Sequence, residues 1–220
     1  MQTALITGAN RGIGLALAQQ LADKGCDIIA VCRTSSDEIE QIAETVFSDI
    51  DVTNPDQLND IKRLLGSQKL DLLINNAGLL KDEQLGDINY DSIREQFEIN
   101  TLAPLMVTEA LLDNLKEGSK IANITSRMGS IADNDSGGRY GYRASKAALN
   151  AVGKSLAEDL KPRGIAVAQL HPGWVKTRMV GFNGLITAED SAAGLIKIIE
   201  QLTLENSGSF WHTNGEQLPW

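Results

Sequence analysis

Cysteine, histidine and long apolar runs are scarce in this 220-residue chain. The two cysteines, Cys26 and Cys32, cannot form a disulfide framework, and without further ligands they do not make a metal site. Free thiols in a reducing compartment are the simpler interpretation. No apolar run approaches the roughly 18 residues that span a bilayer. We therefore expect a cytoplasmic protein with no membrane-spanning segment and no bound metal.

Basic residues are too few for a polyanion-binding protein, because the chain has 20 lysines and arginines but 29 aspartates and glutamates, giving a net charge of −9. Long basic stripes are absent as well, so we expect neither nucleic acid nor an anionic membrane as a partner. The first apolar segment, Ala4–Ile6, has no basic region before it and no cleavage site after it, which indicates a strand and not a signal peptide. An anionic ligand would need local positive groups.

Apolar strand-like runs alternate with helical periodicity along nearly the whole chain. This alternation predicts an α/β fold, a doubly wound seven-stranded parallel sheet flanked by helices, in a single domain over residues 1–220. Pro104 should kink or divide the fourth long helix. Strands are predicted near 3–7, 27–32, 46–50, 70–75, 120–125, 165–170 and 209–213, and helices near 12–24, 36–44, 55–65, 90–116, 140–161 and 188–203.

Three glycines, Gly8, Gly12 and Gly14, fall between the first predicted strand and the first predicted helix. Small residues there let the backbone approach a pyrophosphate, while the helix N-terminus supplies donors and positive potential. A tight turn without a ligand is the alternative, but the strand before and the helix after favour a dinucleotide site.

Tyr142 and Lys146 lie four residues apart, so a helix would bring both side chains onto one face. An ammonium beside the phenol would make the phenolate less costly, so the tyrosine could exchange a proton near neutral pH. Taken alone, the two residues would be an ordinary exposed pair. Ser126, sixteen residues upstream of Tyr142, and the glycine loop favour a catalytic interpretation.

Further motifs follow in order: Asn75-Asn76-Ala77-Gly78 after the fourth strand, Asn100 in the next helix, and Pro172 to Thr177 after the sixth strand. With these, the chain resembles the short-chain dehydrogenase/reductase family. The segments around Tyr142, after His171 and in the tail Gly215–Trp220 resemble its C-factor and Sniffer branch of carbonyl reductases.

The resemblance implies a Rossmann fold and an NADP(H)-dependent oxidoreductase that reduces aldehydes and ketones to alcohols, with Tyr142 as the proton donor. It also implies that Ser126 orients the substrate oxygen, that Lys146 binds the nicotinamide ribose, and that Asn100 supports a water relay to Lys146. Relatives assemble as homodimers or homotetramers. The alternative function is a C-factor-like signalling or regulatory protein that binds the cofactor but has little turnover.

Cofactor choice depends on the residue at the end of the second strand. NAD-using relatives carry an acid where this chain has Cys32, and Arg33 follows it. A guanidinium pairs bidentately with a 2′-phosphate, and Arg11 in the glycine loop could close on the same group, so we expect NADP(H) rather than NAD(H). Alternatively, both arginines are only solvated surface charges.

The resemblance places further residues at the cofactor and the substrate. Asp51 would lie beside the adenine ring, or it could simply satisfy a loop amide. Trp174, Met179 and Phe182 would form a substrate lid or pack elsewhere, and the short segment 178–186 predicts an open pocket with broad acceptance. The predicted cofactor contacts are Gly8, Asn10, Arg11, Gly12, Ile13, Gly14, Arg33, Asp51, Val52, Asn75, Ala77, Gly78, Tyr142, Lys146, Pro172, Gly173, Val175 and Thr177.

Overall fold

The computed structural model describes residues 2–220 and confirms the α/β architecture. Seven strands form one sheet in the order β3-β2-β1-β4-β5-β6-β7, and every neighbouring pair is parallel. The strands are β1 (Thr3–Thr7), β2 (Asp27–Val31), β3 (Thr45–Phe47), β4 (Leu70–Asn75), β5 (Leu115–Ile124), β6 (Ala166–His171) and β7 (Ser209–His212).

Helices connect the strands and cover the sheet. They are α1 (Gly12–Asp23), α2 (Asp37–Ile42), α3 (Pro55–Leu65), α4 (Tyr90–Phe97), α5 (Ala103–Ala110), α6 (Tyr140–Leu160) and α7 (Ala188–Gln201). Side-chain caps explain why α3 and α7 begin where they do. Asn54 Oδ1 accepts from the Asp56 amide at 3.0 Å, and Thr187 Oγ1 accepts from the Asp190 amide at 3.1 Å.

The predicted helix over 90–116 is divided. Helix α4 passes into a π-helical turn, Glu98–Leu102, and α5 follows with Pro104 in its first turn, so the α-helical hydrogen bonding is interrupted directly before a proline that has no amide proton to donate. The prediction that this helix reaches residue 116 is wrong. Leu115 is buried, pairs with Leu70 and begins β5, so this strand is five residues longer at its start than the 120–125 expected.

The third strand also differs from its prediction of 46–50, because it ends at Phe47. Asp49 has φ +59, and a residue in this left-handed region cannot continue an extended strand. Strand β3 is therefore a short edge strand, which leaves the following segment free to turn back over the end of β2.

Alternate residues of the central strands bury two core layers, one on each face of the sheet. Ile6 and Ile74 face the layer formed with α1 and α7, whereas Leu5 and Leu73 face α3 and α5. From β1 the chain steps outward to β2 and β3, then crosses back from β3 to β4 on the other side of β1, so the strand order reverses between β1 and β4. In doubly wound sheets this reversal opens the ligand crevice.

Candidate active site

The glycine loop packs so tightly against the ends of β1 and β4 that no side chain fits at Gly14. Gly8 and Gly12 have φ values of +66 and +55. A Cβ on Gly14 would lie 2.2 Å from the Gly8 carbonyl oxygen and 2.6 Å from Asn76 Nδ2. Asn76 Nδ2 in turn donates to the main-chain oxygens of Thr7 and Gly8 at 3.0 and 3.1 Å. The start of α1 is thereby held directly against the end of β1.

The N-terminus of α1 has the properties of an anion site. Its N-cap residue, Arg11, makes no side-chain cap, and its first turn has no acidic residue. Helix N-terminal amides carry partial positive charge and favour phosphate groups. Thr177 lies beside this turn, because a Cβ on Gly12 would be 3.4 Å from Thr177 Cγ2. This cradle, which includes Asn10 and Ile13, therefore fits the pyrophosphate of a dinucleotide.

The groups predicted to select the cofactor lie on the surface. Arg11 and Arg33 are exposed, and within residues 2–220 neither guanidinium forms a salt bridge. Asp51 Oδ1 accepts from the Thr53 amide at 2.9 Å and from its hydroxyl at 2.7 Å. These hydrogen bonds, helped by the charge of Arg33, lower the pKa of Asp51. Asp51 thus satisfies a loop amide and also lies near Arg33.

Val52, Asn75 and Ala77 line one recess at the carboxyl edge of the sheet. The side chain of Asn75, however, is only 2% exposed and donates to Asn123 Oδ1 at 2.9 Å. Asn123 in turn donates to Gln169 Oε1 at 2.9 Å, which links β4, β5 and β6 through buried amides. The Nδ2 of Asn75 is therefore committed to the sheet, and the prediction that this residue lines the cofactor groove stays a prediction.

Tyr142 and Lys146 lie one turn apart on α6 and meet the end of β5. Both are buried, with 8% and 4% of their surface exposed, and Lys146 Nζ lies 6.0 Å from the centre of the Tyr142 ring. Lys146 Nζ donates to the Ile124 carbonyl oxygen at 2.8 Å. Ser126 follows β5 directly and is 6% exposed. The three side chains predicted from their spacing therefore converge.

Burial, and not charge pairing, controls protonation at this site. Burial raises the pKa of Tyr142, while hydrogen bonding to Ser126 and the charge of Arg139 oppose the rise. Burial lowers the pKa of Lys146 to about 7. Lys146 Nζ is directed at a carbonyl and burial dominates the pKa of Tyr142, so acidification of the phenol by Lys146 stays a prediction. A protonated phenol at neutral pH is nevertheless the form required of a proton donor.

Asn100 is fully buried in the π-helical turn. Its Oδ1 accepts from the Leu79 amide at 2.8 Å, and its Nδ2 donates to the Leu79 carbonyl at 2.7 Å and to Ser145 Oγ at 3.0 Å. Both amide protons are therefore used, and the side chain clamps the loop after β4 to α6. A Cβ on Gly78 would lie 3.3 Å from Asn100 Oδ1 and 3.7 Å from Lys146 Nζ, so Gly78 separates the two groups.

The segment after β6 closes the other side of the glycine loop. Pro172 accepts from Ser191 Oγ at 2.6 Å through its carbonyl oxygen, and Gly173 has φ +85. Val175 is 4% exposed and pairs with Ile186 in a single parallel bridge. These contacts hold the predicted Pro172–Thr177 motif against the body of the protein and bring its last residue to α1.

Three large side chains of this segment remain on the surface. Trp174, Met179 and Phe182 are 53%, 46% and 67% exposed. Packing in the core is therefore excluded for them. An apolar rim near the groove is compatible with the predicted substrate lid.

Sequence reasoning missed Gly129, which positions the catalytic helix. A Cβ there would lie 2.7 Å from the Lys146 carbonyl carbon, so the turn after Ser126 packs on the backbone of α6. Thr125 Oγ1 donates to Asn150 Oδ1 at 2.8 Å and reinforces this contact. The only signal in the sequence is a small residue three positions after Ser126.

Other chemistries find little support within residues 2–220. No helix there is both long and apolar enough to cross a membrane. Histidine, cysteine, aspartate and glutamate side chains form no group of three in that range that could hold a metal ion. Burial lowers the pKa of His171 to about 3, with a smaller contribution from His212, so this imidazole stays neutral at physiological pH.

With this geometry in place, comparison with known proteins defines the class. The sequence profile of the short chain dehydrogenase family matches residues 2–184. The chain therefore belongs to the short-chain dehydrogenase/reductase family, whose members are oxidoreductases, as the motifs indicate.

Two characterised relatives are similar over much of the chain. A 1-hydroxy-2-glutathionyl-2-methyl-3-butene dehydrogenase from Rhodococcus sp. (strain AD45) is 42% identical over 226 residues, covering 100% of both proteins. The C-signal of Myxococcus xanthus is 46% identical over 154 residues, which is 69% of this chain and 93% of that protein.

Two solved structures share the whole fold. The NADPH-bound carbonyl reductase from chicken fatty liver superposes with a TM-score of 0.89 at 30% identity, covering 100% of this chain and 99% of that one. The carbonyl reductase Sniffer of D. melanogaster also gives a TM-score of 0.89, at 32% identity and 100% coverage of both. The predicted resemblance to this branch is thereby confirmed.

Proposed function

We propose that this protein is an NADP(H)-dependent oxidoreductase that reduces aldehydes and ketones to alcohols, with Tyr142 as the proton donor. The observation that carries the proposal is the convergence of Tyr142, Lys146 and Ser126 at the end of β5, beside the glycine loop. The Tyr142 hydroxyl bonds to Ser126, and because burial raises its pKa it carries a proton at neutral pH.

When bound, NADPH supplies a hydride to the carbonyl carbon. The Ser126 and Tyr142 hydroxyls then donate to the substrate oxygen and stabilise its negative charge, a form of electrostatic stabilisation that is strong in a dry site. The Tyr142 Oη proton moves to this oxygen, which completes the alcohol. Lys146, with a pKa of about 7, can hold a proton beside the phenol and help to restore it.

Two features support NADP(H) as the cofactor. The N-terminus of α1 is uncapped by side chains, and Arg11 and Arg33 are exposed and unpaired by salt bridges within residues 2–220. The chicken liver neighbour carries NADPH. The predicted contacts stay as proposed, from the glycine loop through Asp51, Asn75 and Ala77 to Thr177.

The exposed rim of Trp174, Met179 and Phe182 supports broad acceptance of apolar carbonyl compounds. The name of the Rhodococcus relative, a dehydrogenase of a hydroxy compound, supports testing alcohols as well. The test is to measure NADPH consumption with a panel of aldehydes, diketones and quinones, and NADP⁺ reduction with the matching alcohols. We expect turnover of several apolar members, and inactivity across the panel would contradict the proposal.

A second function, a signalling or regulatory protein with little turnover, is supported by the 46% identity to C-signal. The same panel separates the two functions. Tight NADPH binding without turnover of any substrate would favour signalling, whereas turnover favours the enzyme, because a pure binding module does not need Tyr142, Lys146 and Ser126 together.

We also propose that the protein is cytoplasmic and works as a homodimer or homotetramer, with contacts through α4, α5 and α6. Small residues on α6, such as Ala144 and Ala151, would permit close helix contact. Light scattering of the purified protein measures this directly, and a monomeric mass at micromolar concentration would contradict it.

A further inference from the structure

Helix α6, which carries Tyr142 and Lys146, has no cap of its own. The residue before it, Arg139, lies in the left-handed region with φ +50 and makes no side-chain cap, and the first turn contains no acidic residue. The first amides of a helix have no partner within it and need one elsewhere. Tyr142 is the third residue of α6, so this turn determines where the phenol points.

Glu83, in the loop after β4, supplies the missing partner. Its Oε2 accepts from the Gly141 amide at 3.1 Å, and its main-chain oxygen accepts from the Arg139 amide at 3.1 Å. The residue is only 3% exposed. Both ends of Glu83 thus bind the start of α6, directly before Tyr142.

The second carboxylate oxygen is anchored to α4. Glu83 Oε1 accepts from Ser92 Oγ at 2.8 Å and from Gln96 Nε2 at 2.6 Å. Together with Gly141, every side-chain partner is a donor, as an ionised carboxylate requires. Within residues 2–220 no lysine or arginine forms a salt bridge with Glu83, so its charge is directed at the helix terminus.

The sequence of α6 is fitted to this contact. A Cβ on Gly141 would lie 2.6 Å from Gln96 Nε2 and 3.0 Å from Glu83 Oε1. Glycine at this position therefore allows the helix terminus to approach the carboxylate.

We propose that Glu83 is a positioning residue: its buried carboxylate caps α6 from another segment and fixes the turn that carries Tyr142. Its kinetic consequence rests on the proposed function, in which Tyr142 donates the proton. Because Glu83 is buried and its carboxylate binds the Gly141 amide, we assign it an effect through Gly141 and no direct part in the reaction.

A graded series of variants tests this role. Glu83→Met keeps the length but loses every acceptor, so kcat should fall at least tenfold, while Kd for NADPH stays within twofold. Glu83→Gln keeps one carbonyl acceptor, for which Gly141, Ser92 and Gln96 must compete, so kcat should fall three- to tenfold. The control is Glu158→Gln, since Glu158 is an exposed acid of the same helix that pairs with Lys154, about four turns from Tyr142, and does not cap the helix. The kcat of this control should stay within twofold of the wild-type value.

The rates of amide hydrogen exchange at Gly141 and Tyr142 report on the first turn of α6 and do not depend on catalysis. Exchange should accelerate at least tenfold in Glu83→Met and remain at the wild-type rate in Glu158→Gln. An inactive wild type would refute the proposed function, while faster exchange would still support the cap. Unchanged kcat and unchanged exchange in Glu83→Met, or in Glu83→Gln if the first variant does not fold, would overturn the proposal.

Discussion

The two ends of the cofactor groove are built differently. At the chemical end, Lys146 and Asn100 are buried and bonded to main-chain groups of Ile124 and Leu79. At the adenosine end, Arg11 and Arg33 are exposed and free of salt bridges within residues 2–220. The fold itself therefore holds the groups proposed for catalysis, whereas it does not hold the side chains proposed to select the cofactor.

This difference has an energetic basis. Charges interact strongly in a buried, low-dielectric site, and a misplaced group there has no water to replace its partner. Exposed charges are screened by salt within about 10 Å. Changes at the chemical end should accordingly alter turnover and stability, while changes at the adenosine end should alter only the choice between cofactors.

The largest effect is expected where the fold shapes the groove itself. In Gly14→Ala the new methyl would meet the Gly8 carbonyl at 2.2 Å. The gain in helix propensity, about 1 kcal/mol, is smaller than an overpacking cost of about 1–3 kcal/mol. We expect a lower midpoint in urea unfolding and at least a hundredfold weaker Kd for NADPH by fluorescence titration.

Gly118→Ala is the matched control, because a Cβ there meets nothing within 4 Å and its φ of +84 makes the change costly by conformation alone. It should lose stability, by about 1–2 kcal/mol, but keep its Kd for NADPH. Equal loss of cofactor binding in both variants would mean that the effect is general and not local to the groove.

Arg33→Gln tests the adenosine end. If its guanidinium binds the 2′-phosphate, removing a charge-assisted hydrogen bond worth about 1.5–3 kcal/mol should raise KM for NADPH roughly 10- to 100-fold. KM for NADH and kcat should stay within twofold. Arg63→Gln, in an exposed ion pair with Asp60, serves as the control. An equal rise in KM for NADPH and for NADH would contradict the assignment of Arg33 to the 2′-phosphate.

The last effect is on stability as a function of pH, and it comes from Lys146. Its pKa in the folded protein is lowered to about 7 from 10.5, so between these values the unfolded chain binds more protons. Stability contributed by this site should therefore rise with pH in that window, by up to about 1.4 kcal/mol per pH unit. The free energies of unfolding of wild type and Lys146→Met in urea at pH 7.5 and 9.5 measure this slope. If the difference in stability between the two proteins is the same at both pH values, the pKa of Lys146 is not lowered by burial.

Much of the fold and the grouping of the site follow from local sequence. The glycines between a strand and a helix, and the four-residue spacing of Tyr142 and Lys146, depend only on short-range geometry. Pro104 likewise predicts the interruption after α4, because a proline has no amide proton for the helical hydrogen bond. These features are encoded within one or two turns of chain.

Features that depend on distant partners could not be predicted in this way. The Asn75 amide turns toward Asn123 in another strand, and Lys146 turns toward the Ile124 carbonyl, because buried polar groups must find partners wherever the fold provides them. In the sequence Glu83 is an ordinary acid in an acidic loop, and only the folded structure shows its contact with the start of α6. No residue spacing in its own segment distinguishes it.

The central claim is that the Tyr142 hydroxyl supplies the proton. Tyr142→Phe keeps the buried ring and should bind NADPH with a Kd within twofold of wild type, yet lose about 10²–10⁴-fold in kcat for an aldehyde that the wild type reduces. Tyr140→Phe, two residues earlier and 39% exposed, should retain wild-type kcat. Wild-type turnover by Tyr142→Phe, with cofactor binding intact, would contradict the account.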